Sequence, residues 1–280
     1  MNSPPIVTLP SGETVPALGL GTWTMGDSAG RHKEEVAALR LGFDLGMILV
    51  DTAEMYASGG AEEVVGEAVA GRRDEVFIVS KVMPGNASRR GTISACEKSL
   101  KRLKTDRIDL YLLHWPGSVP IAETVDAFTT LAGAGKIRHW GVSNFDVDEM
   151  EELIGLPEGR AVATNQVMYN LKRRGIEYDL IPWSSQRRIP IMAYSPLDQG
   201  RLLRAAELET IAARHNASAA QVALAWLLQR DEVMVIPKAG SQAHMRENHG
   251  ALALKLDAED LAALDRAFPP PARKKPLEST

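Results

Sequence analysis

The chain contains almost no cysteine and no long apolar segment. A single cysteine, Cys96, occurs among 280 residues, which excludes an intramolecular disulfide and any metal site built from several cysteines. Its helical surroundings indicate a packed core residue. No apolar stretch reaches the ~18 residues of a membrane span, and the N-terminus lacks the basic region and apolar core of a signal peptide. These absences predict a cytoplasmic protein that does not enter a membrane.

Positive charge and the common phosphate-binding motifs are also scarce. The net charge of -4 and the pI of about 5.9 argue against a nucleic acid partner. Residues 19–21 begin like the dinucleotide fingerprint G-x-G-x-x-G, but its last glycine is missing, and no G-x-x-x-x-G-K-[ST] motif occurs. The histidines are scattered without an H-x-H pair, so we expect no metal site. A nucleotide, if used, must be held in another way.

Strand-like and helix-like segments alternate along nearly the whole chain. Residues 7–15 look like a small entry hairpin, and about eight strand–helix units follow. That number closes a (β/α)8 TIM barrel, while a doubly wound open sheet is the structural alternative. No linker divides the chain, so we expect residues 1–280 to form one domain. Residues 219–229 and 257–267 are expected to be helices appended to the barrel, and the tail from 269 to 280 to be irregular.

Three successive apolar runs each end on a titratable residue. They lead into Asp51, Lys81 and His114, and runs of this kind are typical of buried parallel strands. The carboxyl ends of parallel strands lie on one rim, where α/β proteins keep their chemistry. Tyr56 adds a phenol shortly after Asp51. The pattern therefore predicts that an acid, an ammonium, an imidazole and a phenol meet on one rim.

Residues 51–66, DTAEMYASGGAEEVVG, resemble a signature of the aldo-keto reductase superfamily. Further motifs occur in that family's order over roughly the whole chain: GLGTW at 19–23, SK at 80–81, LLHWP at 112–116, GKIR at 135–138, GVSNF at 141–145, NQ at 165–166, AYSPL at 193–197, IPK at 236–238 and EN at 247–248. The resemblance implies a barrel that reduces carbonyl compounds with NADPH and has no Rossmann domain.

The resemblance assigns Asp51, Tyr56, Lys81 and His114 as the catalytic residues. A hydride added to a carbonyl carbon leaves negative charge on the oxygen, so a proton donor must meet it. The Lys81 ammonium is expected to lower the pKa of Tyr56 and make it a better acid. Asp51 would hold Lys81 charged. His114 would orient the carbonyl oxygen and donate a hydrogen bond to it.

The resemblance also implies a set of contacts with NADPH. Ser143, Asn144 and Gln166 would bind the nicotinamide carboxamide through their amide and hydroxyl groups. Tyr194 would stack on the nicotinamide ring. The remaining predicted contacts, from the nicotinamide ribose to the adenine, are Thr22, Trp23, Ser195, Leu197, the backbone as far as Leu202, Lys238, Ser241, Glu247 and Asn248.

The chain departs from the family pattern at one cofactor position. His244 stands where the family usually has an arginine that stacks on adenine and pairs with the 2′-phosphate. A neutral imidazole stacks but does not pair bidentately with phosphate as guanidinium does. We expect NADPH to remain the cofactor because Lys238 is present. The preference for NADPH over NADH is expected to be reduced, so NADH stays an alternative cofactor.

The substrate is indicated only by analogy. Trp23, Met55, Met83 and Trp115 are predicted to line an apolar pocket mouth, and the short rim loops favour small or varied aldehydes. The motif detail looks like that of bacterial members that reduce methylglyoxal.

Two other functions stay open. One is a Schiff-base lyase with Lys81 as its nucleophile, and the other is an NADPH-sensing barrel with weak turnover. We expect a monomer, because no obvious apolar interaction stripe is present.

Overall fold

Eight parallel strands close into a barrel in the computed structural model, which describes residues 5–279. In chain order, the described strands are those of the entry hairpin, β1 (Ile6–Thr8) and β2 (Thr14–Pro16), and the eight of the barrel, β3 (Leu20–Gly21), β4 (Leu49–Asp51), β5 (Phe77–Val82), β6 (Ile108–Leu113), β7 (Ile137–Ser143), β8 (Asn165–Met168), β9 (Ile191–Tyr194) and β10 (Val233–Val235). Strands β3 to β10 pair in chain order, and β1 and β2 form an antiparallel hairpin. The amide of Val235 donates to Ala17 and that of Gly19 to Val235, so the last strand meets the first. The predicted barrel is confirmed over the open sheet.

Helices follow the barrel strands and cover their outer faces. They are α1 (His32–Asp44), α2 (Gly60–Ala68), α3 (Arg89–Leu103), α4 (Ile121–Gly133), α5 (Val147–Ile154), α6 (Leu180–Arg187), α7 (Ala206–His215), α8 (Ala219–Leu228), α9 (Gln242–Gly250) and α10 (Ala258–Ala267). Asp146 caps α5, and Glu149 completes the capping box by binding the amide of Asp146. Within the described residues, none of these helices is long and apolar enough to cross a membrane.

The structure corrects the sequence prediction about which helix is appended. Residues 219–229 are predicted to form a helix appended to the barrel, but α8 packs against β10 and α9 and is buried on nearly all sides. Such a helix is apolar all round because it is covered on all sides. Helix α7 takes the outer position instead. It buries only one face and packs against α8 and α10.

The hairpin closes the end of the barrel where the strands begin. Val7 packs inside the barrel with Leu49 and Phe77, which start β4 and β5. Glu13, next to β2, fastens the hairpin from outside by accepting hydrogen bonds of 2.8 Å from Arg138 on β7. The carboxyl end of the barrel is therefore the end that is left for a binding site.

Cys96 lies on α3 with no exposed surface, as its surroundings predict. Burial raises the pKa of its thiol to about 12, so the group stays protonated and unreactive at neutral pH. Its place in the protein is that of a small core side chain.

Candidate active site

Asp51, Lys81 and Tyr56 form a buried chain of polar contacts at the carboxyl end of the barrel. Lys81 Nζ lies 2.8 Å from Oδ2 of Asp51 and 3.2 Å from the hydroxyl of Tyr56, and it donates to the carbonyl of Thr52 at 2.9 Å. The Lys81 side chain is fully buried, and Asp51 is nearly so. A buried ammonium needs a carboxylate and further acceptors, and the structure supplies both. The structure thus brings together three of the four residues predicted to be catalytic.

Burial and neighbouring charges set the protonation of this chain. Burial lowers the pKa of Lys81, but Asp51 and Tyr56 more than offset it, so the pKa of Lys81 lies above its usual value. Burial raises the pKa of Tyr56, the Lys81 ammonium opposes the rise, and Asp51 adds to it. The net pKa of Tyr56 is therefore raised, whereas the sequence led us to expect a lowered one. Lys81 acts in the expected direction but does not outweigh burial.

The segment that carries Tyr56 has an unusual backbone. Ala57, Ser58 and Gly59 all adopt positive φ, at 50°, 53° and 97°, a region that non-glycine residues rarely occupy. The Cδ of Arg102 packs so closely on Gly59 that an added Cβ would lie 2.5 Å from it. Such strain persists only where the surroundings fix the backbone. The loop therefore presents Tyr56 in one defined position.

Two side chains behind the loop support this arrangement. Glu62 on α2, which is fully buried, accepts a hydrogen bond of 2.5 Å from Arg102 and one of 2.6 Å from the hydroxyl of Ser80. Ser80 precedes Lys81 on β5, so the same carboxylate joins the strand of the lysine to the helix that follows the tyrosine. No sequence motif indicated this network of hydrogen bonds.

His114 follows β6 and completes the predicted set. Its ring meets the Tyr56 ring edge-on at 5.7 Å and lies 4.8 Å from the Trp115 ring, measured between centroids. Burial and the Lys81 charge lower the pKa of His114 to about 3, so the imidazole is neutral at physiological pH. Its buried Nδ1 has no hydrogen-bond partner among the described residues. A neutral imidazole keeps one N–H for donation to a ligand.

A second polar group lies on the opposite side of the barrel mouth. Tyr194 donates to Oδ1 of Asn144 at 2.9 Å, and the Asn144 amide donates to Ser143 at 3.0 Å and to the carbonyl of His114 at 3.1 Å. Gln166 donates to Oδ1 of Asp51 at 2.7 Å. The residues predicted to hold a carboxamide are thus connected to those predicted to be catalytic.

A cavity of about 1030 Å³ opens above these residues. Most of the predicted site residues line it: Thr22, Trp23, Asp51, Met55, Tyr56, His114, Trp115, Ser143, Asn144, Gln166, Tyr194, Ser195, Leu197, Lys238, His244, Glu247 and Asn248. Lys81 lies behind Tyr56, which separates it from the cavity. The volume is at the upper end of the ~300–1,000 Å³ typical of small-molecule sites.

Besides Lys81, three predicted residues do not line this cavity. The backbone amide of Met83 is bound by the Glu54 carboxylate at 2.8 Å, and its side chain is not on the cavity wall. Leu202 is fully buried in the core, and its neighbour Leu203 faces the cavity instead. Ser241 caps α9 by accepting a long hydrogen bond of 3.4 Å from the amide of His244. In each case local packing or capping competes with the predicted role.

Part of the cavity wall comes from the C-terminal tail, which no sequence motif connects with the site. Pro276, Leu277 and Ser279 line the cavity. Lys274 in the tail makes ion pairs of 3.3 Å to Asp146 and 3.2 Å to Asp179. The segment has no helix or strand pattern that would have predicted its path.

Comparison with known proteins agrees with this geometry. The sequence profile of the Aldo/keto reductase family matches residues 17–268. The methylglyoxal reductase YeaE of Escherichia coli K12 is 55% identical over 270 residues, which cover 95% of both chains. The glyoxal reductase of Bacillus subtilis 168 is 37% identical over 92% of this chain and 91% of its own. A crystal structure of an aldo/keto reductase from Klebsiella pneumoniae, in complex with NADP and acetate, is 49% identical and covers 99% of this chain and 100% of its own at a TM-score of 0.97. With its barrel, its buried lysine–aspartate pair and these similarities, the chain belongs to the aldo/keto reductase family.

Proposed function

We propose that this protein is an NADPH-dependent carbonyl reductase that converts small aldehydes and ketones to alcohols. The observation that carries the proposal is the chain of contacts from Asp51 through Lys81 to Tyr56, which ends on the wall of the cavity beside His114. A phenol held against a buried ammonium, next to a neutral imidazole, suits the protonation of a carbonyl oxygen.

The residues that line the cavity fit a dinucleotide. Ser143, Asn144 and Gln166 supply amide and hydroxyl groups next to the Tyr194 ring, which suits a flat carboxamide-bearing ring. Lys238 supplies a cation farther along the same cavity. NADPH, when bound, supplies the hydride that reduces the carbonyl carbon. That the Klebsiella pneumoniae structure contains NADP supports this cofactor.

Each residue of the catalytic chain has a distinct task. Tyr56 donates its proton to the carbonyl oxygen as negative charge develops there. Lys81 stabilises the phenolate that remains, and Asp51 holds Lys81 in place and charged. His114, neutral because of burial, donates a hydrogen bond that orients the carbonyl oxygen. A Schiff-base role for Lys81 is disfavoured because its amine is buried, ion-paired and raised in pKa.

Small reactive aldehydes such as methylglyoxal are the proposed substrates. The names of the methylglyoxal and glyoxal reductases that resemble this chain support them. Trp23 and Met55 are partly exposed apolar side chains on the cavity wall, and Trp115 lies next to His114. An apolar mouth that leads to polar groups suits a small carbonyl compound.

The test is NADPH oxidation by the purified protein with methylglyoxal and with benzaldehyde, wild type beside Tyr56→Phe. We expect rapid oxidation that falls by roughly 10²- to 10⁴-fold in the variant, because only the proton donor is removed. NADPH binding, followed by titration, should change little. Tight NADPH binding without turnover of either aldehyde in the wild type would contradict the proposal and favour the nucleotide-sensing alternative.

We further propose that the protein is a single-domain monomer that works in the cytoplasm without a nucleic acid partner. Its net charge of -4 disfavours polyanions. Among the large apolar side chains that are exposed in the described part of the chain, Trp23 and Met55 line the cavity, which leaves Ile6 and Tyr178 as single positions. Sedimentation at micromolar concentration should give a species of about 30.4 kDa.

A further inference from the structure

Two cationic side chains converge on Gly240, just before α9. A Cβ added to Gly240 would lie 2.7 Å from Nη2 of Arg31 and 3.0 Å from Nζ of Lys238. Both cationic groups therefore lie within 3.0 Å of one point. Gly240 does not adopt a positive φ. The missing side chain, rather than an unusual backbone conformation, therefore leaves room for the two cationic groups.

The protein neutralises the charge of this pair only in part. Lys238 makes no ion pair among the described residues, and Arg31 has only a loose one, 3.9 Å to Glu34. Burial and the Arg31 charge lower the pKa of Lys238, and the charges of Glu35, Asp27 and Glu34 offset only part of this effect. Two like charges at this separation repel each other, so the arrangement is favourable when an anion lies between them.

One residue of the cationic pair lies on the wall of the cavity. Lys238 lines one end of the cavity together with His244 and Asn248, while Arg31 reaches Gly240 from the segment between β3 and α1. Helix α9 begins after Ser241, so its N-terminus adds positive potential at the same end. The Arg31 side chain is half exposed, so a ligand in solution can reach it.

We propose that Arg31, together with Lys238, binds the 2′-phosphate of the cofactor and so determines the preference for NADPH over NADH. Arg31 supplies from the β3–α1 segment the guanidinium that position 244 lacks, since His244 stands there. Arg246, also on α9, lies two residues farther on, on a different face of the helix. A guanidinium pairs bidentately with phosphate, and an ammonium adds a point charge. This inference rests on the proposed use of NADPH.

The test measures nucleotide binding by calorimetry, without any carbonyl substrate. The probes are adenosine 2′,5′-bisphosphate, which carries the 2′-phosphate, and 5′-AMP, which does not. We expect Arg31→Met to weaken the bisphosphate roughly 10- to 100-fold and 5′-AMP less than about twofold. Lys33→Met is the matched control, because it removes one exposed positive charge two residues away. It should leave the affinity for both probes within about twofold of the wild type.

A second variant tests whether Arg31 replaces the missing arginine. His244→Arg introduced into Arg31→Met should restore most of the lost affinity for the bisphosphate. The inference would be overturned if Arg31→Met left that affinity unchanged, weakened both probes equally, or behaved like Lys33→Met. If the wild type still oxidised NADPH, any of these results would rule out only the role of Arg31 and would leave the proposed function standing. Absence of wild-type binding to NADP+ and to both probes would remove the cofactor proposal as well.

Discussion

Gln166 donates a hydrogen bond of 2.7 Å to Oδ1 of Asp51, whose other oxygen lies 2.8 Å from Lys81 Nζ. Both oxygens of one buried carboxylate are thus engaged, one by an amide from β8 and one by an ammonium from β5. The family resemblance gave Gln166 only a cofactor contact. In the structure it fixes the orientation of the carboxylate that holds the lysine, so the residues predicted to bind the carboxamide and those predicted to donate the proton share one anion.

The first prediction concerns that carboxylate. Asp51→Asn keeps the size of the side chain but leaves Lys81, which is fully buried, without an anionic partner. Because an unpaired buried charge costs roughly 3–5 kcal/mol, the free energy of unfolding should fall by about that amount or Lys81 should lose its proton. The kcat for aldehyde reduction should fall, and its alkaline limb should move to lower pH. Urea denaturation and a pH–rate profile measure both effects.

Asp44→Asn is the matched control for this prediction. Asp44 pairs with Arg72 at 2.6 Å, but its side chain is 63% exposed. Exposed pairs contribute little to stability, so this variant should resemble the wild type. If Asp51→Asn were as stable and active as Asp44→Asn, the buried pair would have no role in holding Lys81 charged.

The second prediction concerns pH and His114. Its pKa is about 3 in the folded protein, against 6.5 for an ordinary histidine. Below pH 6.5 the unfolded chain therefore binds a proton that the folded chain excludes, and the free energy of unfolding falls as the pH decreases toward 3. One such proton changes stability by about 1.4 kcal/mol per pH unit.

His114→Asn should remove this contribution. Urea denaturation between pH 4.5 and 7.5, with other groups unchanged, should give a shallower loss of stability in the variant than in the wild type. Parallel curves for the two proteins would mean that His114 is protonated in the folded state, contrary to its burial beside Lys81.

The third prediction tests the support of the Tyr56 loop. Gly59→Ala places a Cβ 2.5 Å from Arg102 at a φ of +97°, whereas Gly71→Ala introduces the same methyl group at a φ of +83° with nothing within 4 Å. Both variants pay roughly 1–2 kcal/mol for a left-handed alanine, but only the first disturbs the loop. We expect kcat to fall at least tenfold in Gly59→Ala and to stay near the wild type in Gly71→Ala, with NADPH affinity similar in both. Equal kcat values would show that Arg102 and Gly59 do not position Tyr56.

The residues that the sequence located best are those at strand ends. Asp51, Lys81 and His114 each follow an apolar run, and register in a parallel barrel carries such ends to one rim. For these three residues, the local sequence pattern was sufficient to predict their place in the fold. Positions that depend on distant packing were predicted less well. Leu202 carries no local sign that it turns into the core, and its neighbour Leu203 is equally apolar.

Two features required the three-dimensional path of the chain. Helices α7 and α8 are adjacent in sequence, and which of them contacts β10 depends on how the connection folds back. Arg31 lies far from Lys238 in sequence, and no motif connects them, yet both reach Gly240. Contacts of this kind arise from the closure of the barrel, which hydrophobic periodicity does not encode.

The last prediction concerns the tail. Leu277 packs against the core and lines the cavity, while Lys274, which is 45% exposed, makes ion pairs with Asp146 and Asp179. Leu277→Ala removes apolar wall and should raise the KM for benzaldehyde roughly three- to tenfold, since each buried methylene contributes ~0.8 kcal/mol. The KM for methylglyoxal, which offers less apolar surface, should change less. Lys274→Met should alter neither value appreciably, because exposed ion pairs are weak. Initial rates with both aldehydes measure these effects, and an equal rise for both in Leu277→Ala would indicate that the tail affects the whole site rather than the apolar wall.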